Sequence, residues 1–303
     1  MSNLRFDGRV AIVTGAGRGL GRSYALLLAS RGARVVVNDS GGALSGDGIN
    51  AGPAHEVVQE ITAAGGQAIA CTDSVATPAG GRAIIDAALQ EYGGVDVLIH
   101  NAGNVRRAPL RDMTSDDFDA VLDVHLRGAF HVVRAAFPAM CDAGHGRIVL
   151  TSSIGGLYGN HQVANYAAAK AGVIGLSNVV ALEGASEGVT CNVVVPAAVT
   201  RMAEGIDTSS YPPMSPELVA PVVGWLAHES CSVTGEIFVA LAGRVARVVI
   251  SETPGVYRPS WSIEDVAAQS AAIRETDDPV SFAVVPDGHG DHIRYSFAMA
   301  AHG

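Results

Sequence analysis

The sequence predicts an α/β fold, a doubly wound parallel sheet forming one domain with a C-terminal extension. Three observations carry that expectation. Apolar, β-branched runs bounded by turn residues alternate with helix-forming stretches. The runs are apolar on both faces, as strands covered by helices on each side must be. The first run leads at once into a glycine-rich turn and a helix.

Arg9 to Val13 (RVAIV) is the first strand, and TGAGRGLG passes the chain to the helical stretch RSYALLLASRG. Arg34 to Val37 is the second strand. The connection from Ser40 to Gly52 is glycine-rich and longer than usual for such a link, which implies a lid over a bound ligand or, the reading favoured from sequence, partial disorder without one. Helices are expected at Pro53 to Ala64, Pro78 to Tyr92, Ser115 to Met140, Val163 to Gly184 and Pro216 to His228. Strands are expected at Gln67 to Cys71, Val95 to His100, Gly146 to Thr151, Val189 to Val195 and Glu236 to Val239. Residues 1–243 form the expected dinucleotide-binding domain. Residues 244–303 form the extension, with a strand-like run at RVARVVIS and a helix at IEDVAAQSAAIRE, expected to pack on the substrate cleft or on a partner subunit. The final stretch, PDGHGDHIRYSFAMAAHG, fits no pattern. No internal repeat or linker interrupts the alternation.

Ligands of such sheets bind beyond the carboxyl ends of the strands, and Gly15, Asp39, Asn101 and Ser153 each follow a strand, so they belong to one edge. Gly15, Gly19 and Gly21, with Arg18 and Leu20 between them, make a turn in which glycines take positive φ and approach a pyrophosphate, while free amides at the helix start attract phosphate. A flexible turn would look similar in isolation. Asp39 stands eighteen positions after Gly21, near the spacing of about 20 at which an acidic residue meets the ribose 2′-hydroxyl, and its charge would repel a 2′-phosphate. NAD is therefore expected over NADP, unless Asp39 is an ordinary turn residue.

Tyr166 and Lys170 are four apart in NYAAAK and leave one face of one helix. A nearby cation favours the ionised phenol, which would make Tyr166 a usable base. The spacing alone also fits a plain amphipathic face. Ser153 precedes Tyr166 by thirteen positions, and His125 completes the candidate catalytic set.

TGAGRGLG, Asn101-Ala102-Gly103, Ser153 and Tyr166-Ala-Ala-Ala-Lys170 together resemble the short-chain dehydrogenase/reductase family, over roughly Phe6 to Gly243. Longer segments, among them NDSGGALSGDG, VHLRGAFHVVRAAF and YGNHQVANYAAAKAGVIGLSN, are similar to one branch, the (3R)-hydroxyacyl-CoA dehydrogenase part of peroxisomal multifunctional enzyme type 2. The resemblance implies a Rossmann sheet binding NAD, with Gly15, Gly19 and Gly21 at the pyrophosphate, Asp39 at the ribose, and Asp73 and Ser74 at the adenine. It implies Asn101, Ala102 and Gly103 beside the cofactor, and Pro196, Val199 and Thr200 near the nicotinamide amide. Ser153 would hold the substrate oxygen, Tyr166 would exchange the proton, and Lys170 would lower the tyrosine pKa while binding the nicotinamide ribose. Most of the family carries Asn where this chain has His125, whereas the branch resembles this chain there; imidazole can order the same water or shuttle a proton, or be a buried structural group. Pro196-Ala197 replaces the family's Pro-Gly. The extension, Val249 to Trp261 in particular, is expected to shape substrate choice.

The resemblance implies oxidation of a secondary alcohol, most simply a 3-hydroxyacyl-CoA thioester with a fatty or steroid-like acyl group. Free hydroxysteroids or other small alcohols are the alternative, and a non-catalytic NAD-binding sensor is an alternative of another class. Arg106 and Arg107 would then meet coenzyme A phosphates, or be solvated loop residues. A homodimer or homotetramer through the helices at Ser115 to Met140 and Val163 to Gly184 is expected by the same analogy.

The 303 residues carry a net charge of −10, which argues against nucleic acid, and no apolar run is long enough to span a bilayer, so no membrane partner is expected. Cys71, Cys141, Cys191 and Cys231 are scattered without metal-ligand spacing, and Asp287, His289, Asp291 and His292 sit in a glycine-rich tail, so no metal is expected. The ending AHG is not an S-K-L address, from which a cytoplasmic location is expected.

Overall fold

The computed structural model describes residues 3–200 and 210–302. At its centre Val10–Thr14 (β1) is buried at every position and pairs in parallel with Arg34–Asn38 (β2) on one side and Val97–His100 (β4) on the other. Gln67–Cys71 (β3) flanks β2, while Gly146–Thr151 (β5), Val189–Ala197 (β6), Ile237–Leu241 (β7) and Arg244–Val248 (β8) continue beyond β4, giving the order β3-β2-β1-β4-β5-β6-β7-β8. All pairings are parallel except β7 with β8. The chain leaves β1 toward β2 and returns to β4 on its other side. That reversal opens a crevice above the carboxyl ends of β1 and β4.

Alternate residues of β1 serve opposite layers, as the two-residue period of a strand requires. Ala11 and Val13 pack with Tyr24, Ala25 and Leu28 of Gly19–Ser30 (α1), and the same layer takes in Gly52–Ala63 (α2) and Ala220–Leu226 (α8). Val10 and Ile12 join the opposite layer with Pro78–Tyr92 (α3), Gly128–Asp142 (α5) and Ala164–Gly184 (α7). The α/β class and the parallel sheet expected from sequence are what the chain forms.

Three elements differ from expectation. The long helix anticipated at Ser115 to Met140 is Ser115–Leu122 (α4) and α5 joined by a π-helical turn at Asp123–Arg127, which sets His125 apart from the regular helical register. Ile154–Tyr158 (α6) is an additional short helix whose N-cap is Ser153. The tail without a recognised pattern contains a helix, Gly288–His302 (α10), with Arg294 paired to Asp287 and Asp291 and His292 paired to Glu252. Its apolar positions are few and its first turn is glycine-rich, so periodicity gave no signal.

A two-residue hairpin, Ala242-Gly243, turns β7 into β8 with positive φ at both positions, 48° and 80°, so the sheet runs on past Gly243. Ile263–Ile273 (α9) is held to the preceding segment by the Thr253 hydroxyl donating to the Ile273 carbonyl at 2.7 Å. Among the described residues no helix is long and apolar enough to cross a membrane.

Candidate active site

The crevice is built first by Thr14. Its hydroxyl oxygen accepts from the amides of Asn101 and Ala102, both at 3.1 Å, and the Asn101 side chain donates to the Gly15 carbonyl at 3.1 Å, which locks the ends of β1 and β4 together. A Cβ at Gly15 would lie 2.7 Å from Ala102 Cα, and one at Gly21 would lie 2.2 Å from the Gly15 carbonyl oxygen. Gly21 therefore serves the packing of α1 on the turn and does not face the crevice. α1 begins at Gly19 with no side-chain cap, leaving its first amides open. Asp39, just after β2, accepts from Gly17 N at 2.8 Å through Oδ2 and from Gly41 N at 2.7 Å through Oδ1.

These groups border a cavity of about 540 Å³. Gly15, Arg18, Gly19, Leu20 and Asp39 form its first wall, Asp73 and Ser74 lie beyond β3, and Asn101, Ala102 and Gly103 lie at its centre. Pro196 and Thr200 close the far side, whereas Val199 does not line it. Arg18 is exposed.

Tyr166 and Lys170 share the cavity wall, with the Lys170 amine 5.6 Å from the centre of the Tyr166 ring. α6 lies so close to α7 that a Cβ at Gly156 would come within 2.8 Å of Lys170, and the Ser152 hydroxyl donates to the Lys170 carbonyl at 2.7 Å. The amine itself is buried and donates to the Thr151 carbonyl at 2.6 Å. Ser153 sits beside Tyr166 rather than on the cavity wall: a Cβ at Gly155 would stand 3.6 Å from the Ser153 oxygen and 3.7 Å from the Tyr166 ring. The His125 and Tyr166 rings meet edge to face at 5.1 Å. Gly103 makes room for that imidazole, since a Cβ there would fall 2.4 Å from His125 Cε1.

The electrostatics are dominated by burial. Burial lowers the Lys170 amine from 10.5 to about 7. Burial also raises the Tyr166 phenol, against smaller opposing effects from the neighbouring Ser153 hydroxyl and the Arg107 guanidinium; no hydrogen bond of good geometry joins Ser153 and Tyr166. This corrects the expectation that Lys170 lowers the tyrosine: in the chain alone the lysine faces Thr151, and the charge that pulls on the phenol is that of Arg107. Burial holds His125 well below 6.5, with the Lys170 charge acting in the same direction, so its imidazole is neutral.

Four residues that sequence reasoning did not single out complete the site. Asn104 bonds the His125 ring through its main chain. Buried His100 sits 3.1 Å from Thr14 Oγ1 through Nδ1; because that hydroxyl already accepts two amides, its hydrogen goes to Nδ1, which leaves the proton of His100 on Nε2. Asn165 donates to the carbonyls of Arg106 and Asp117, fixing the start of α7. Thr14 was visible as the first residue of TGAGRGLG; the others carried no motif. Arg106, on the cavity wall, pairs with Asp47 and Asp117, while Arg107 is exposed with no ion-pair partner among the described residues. The connection from Ser40, expected to be partly disordered, is instead tied down on Arg106 and Asn104.

The family described as short chain dehydrogenase matches residues 9–209. The chain is 47% identical over 286 residues to peroxisomal multifunctional enzyme type 2 of Drosophila melanogaster, an alignment that covers 94% of this chain and 45% of that protein. The solved full-length structure of the Drosophila protein superposes with a TM-score of 0.80 over 98% of this chain and 50% of that one, at 38% identity. A putative short-chain type dehydrogenase/reductase of Mycobacterium tuberculosis is 45% identical, covering 88% of this chain and 94% of that protein. A hydroxyacyl-CoA dehydrogenase of the same bacterium is 39% identical, over 80% of each. The chain thus spans about half the length of its Drosophila relative. That relative and others of similar identity are peroxisomal by name, which overturns the cytoplasmic location expected from the AHG ending.

Proposed function

The chain belongs to the short-chain dehydrogenase family, and from that premise we propose that it oxidises a secondary alcohol to a ketone with NAD, its substrate a 3-hydroxyacyl-CoA thioester. The observation that carries the proposal is the meeting, at one cavity, of the glycine turn after β1 with Tyr166, Lys170 and His125. A nicotinamide dinucleotide fits this wall: α1 opens without a cap, Gly19 has φ of 53° and no side chain to block approach, and Asp39 stands at the end of β2. Gly15 and Gly19 would hold the pyrophosphate, Asp39 the ribose, Asp73 and Ser74 the adenine, and Pro196 and Thr200 the nicotinamide end. When bound, the dinucleotide supplies the hydride acceptor.

The chain's own residues do the rest. Ser153 donates to the substrate oxygen and holds it toward Tyr166, whose oxygen exchanges the hydroxyl proton. Lys170 is fixed on Thr151 beside the Tyr166 ring, and His125 carries a proton between the lysine and the outside. Asp39 would favour NAD because a negative charge at the end of β2 repels a 2′-phosphate. The thioester substrate is supported by the names of the relatives, hydroxyacyl-CoA dehydrogenase among them. Exposed Phe130 on α5 and Val179 and Leu182 on α7 support pairing of two copies through those helices.

Initial rates with 3-hydroxyacyl-CoA esters of both hands and with free hydroxysteroids, each with NAD or NADP, test the proposal. Reduction of NAD by the thioesters is expected. Turnover of free alcohols alone would overturn the substrate, and binding of NAD without reduction across the panel would overturn catalysis.

A further inference from the structure

The segment from Ser40 to Asn50 is a loop with a closed neck and a fastened tip. At the neck Asn50 N donates to the Ser40 carbonyl at 2.9 Å, and Gly41 N donates to Asp39. A Cβ at Gly41 would fall 1.6 Å from the Asn50 carbonyl oxygen, so only glycine lets the two strands of the neck close. The tip is an internal turn, with Ala43 N on the Asp47 carbonyl at 2.8 Å and the Ser45 hydroxyl on the Asp47 carboxylate at 2.7 Å. The loop is compact in the manner of an Ω-loop, its ends together and its tip projecting.

That tip reaches across the cavity to the segment after β4. Arg106 takes Asp47 at 3.0 Å through Nη2, the Ser45 carbonyl at 3.1 Å through Nε, and Asp117 of α4 at 3.3 Å through Nη1. Val105 N donates to the Leu44 carbonyl at 3.0 Å, and Gly46 leaves space for the Asn104 side chain, which a Cβ would approach to 2.6 Å. The cavity is bounded by Asp39 and Arg18 at one end, by Leu44 and Ser45 of the loop, and by Asn104 and Arg106 opposite. An isolated exposed ion pair contributes little to stability. Here one guanidinium fork, about a quarter exposed, engages a carboxylate and a carbonyl of the loop and a second carboxylate on α4, and the planar fork suits that task.

We propose that Arg106 is a positioning residue for the dinucleotide: it latches the loop from Ser40 to Asn50 across the cavity and thereby sets how fast the bound dinucleotide leaves. This rests on the reading that the cavity takes a nicotinamide dinucleotide. Release requires the loop tip to part from Arg106, so the latch acts on the off-rate and on KM for the dinucleotide and leaves the proton chemistry at Tyr166 untouched.

The test is the rate of NADH release by stopped-flow displacement from the intact chain, for wild type, Arg106→Met, Arg106→Lys and Asp47→Asn. Asp47 is an exposed loop residue whose carboxylate touches Ser45 and Arg106, so Asp47→Asn keeps the fold even if Arg106→Met does not. Release is expected to be about tenfold faster in Arg106→Met and Asp47→Asn, the loss of one charge-assisted bond, with Arg106→Lys between them and wild type. KM for NAD should rise while the pH profile of kcat stays put, a split that general loosening of the fold would not give. NADH release unchanged in Asp47→Asn and Arg106→Met, with wild type binding NADH, overturns the latch alone. A wild-type chain that binds neither NADH nor NADPH overturns the dinucleotide reading on which it stands.

Discussion

Nε2 of His125 meets both main-chain polar atoms of a single residue, Asn104: the amide lies 3.1 Å away and the carbonyl oxygen 2.8 Å. One ring nitrogen cannot donate and accept at once, so the two contacts belong to two tautomers. When Nε2 accepts from the amide, the proton sits on Nδ1; when Nε2 donates to the carbonyl, Nδ1 is bare. In either case Nδ1 is buried without a partner. A histidine held between two tautomers of similar merit is a group through which a proton can pass.

Replacing His125 by Ala is therefore expected to lower kcat by about a hundredfold, at the low end of what positioned acid–base groups contribute. His125→Asn, which keeps a polar group at the same place, should retain more. Steady-state rates of the two variants decide it, and a kcat for His125→Ala equal to wild type would leave the imidazole a packing residue.

Tyr166→Phe should abolish measurable turnover and leave NADH binding close to wild type, since the ring and its contact with His125 persist while the exchangeable proton is gone. Ser153→Ala should cost about 10² to 10³ in kcat, the loss of one donor at the developing charge. Fluorescence titration beside initial rates separates the two effects.

Stability should rise with pH in two windows. Burial depresses His100 from 6.5 to about 3 and holds His125 low as well, so between these values the unfolded chain binds protons the folded chain refuses, and stability falls as pH drops below 6.5. Lys170 repeats the logic between about 7 and 10.5, where stability climbs as pH rises. Urea unfolding of the chain without cofactor, at a series of pH values, measures both. Lys170→Met should flatten the alkaline window and His100→Asn part of the acid one; an unaltered profile in Lys170→Met would refute the assignment.

Asp39→Asn keeps an oxygen for one of the two amides that the carboxylate binds while removing the charge. The ratio of kcat/KM for NADP over NAD should rise at least about tenfold, with exposed Arg18 at the mouth available to a 2′-phosphate. A ratio that does not move would show that Asp39 has no part in choosing the cofactor.

Gly21→Ala should lose roughly 1 to 3 kcal/mol of stability, because the new methyl would sit 2.2 Å from the Gly15 carbonyl oxygen and backbone cannot yield as a side chain can. Thermal unfolding reads this directly.

What the sequence determined by itself is whatever depends on short-range spacing. The sheet was legible because β-branched runs such as Val10–Thr14 bury both faces, and Tyr166 with Lys170 because four residues make one helical turn. Asp39 at the end of β2 followed from the glycine turn. Only tertiary structure could decide the rest, because the deciding contacts join residues far apart in the chain. Arg106 lies 59 positions from Asp47, and nothing in its neighbours marks it as the fastening of a distant loop rather than a solvated cation. No pattern of apolar residues marks the π-turn that sets His125 against Asn104, a residue 21 positions away in the chain. The shift expected for Tyr166 is likewise of opposite sign in the folded chain, since burial, which no local pattern reports, raises the phenol and outweighs the Arg107 charge.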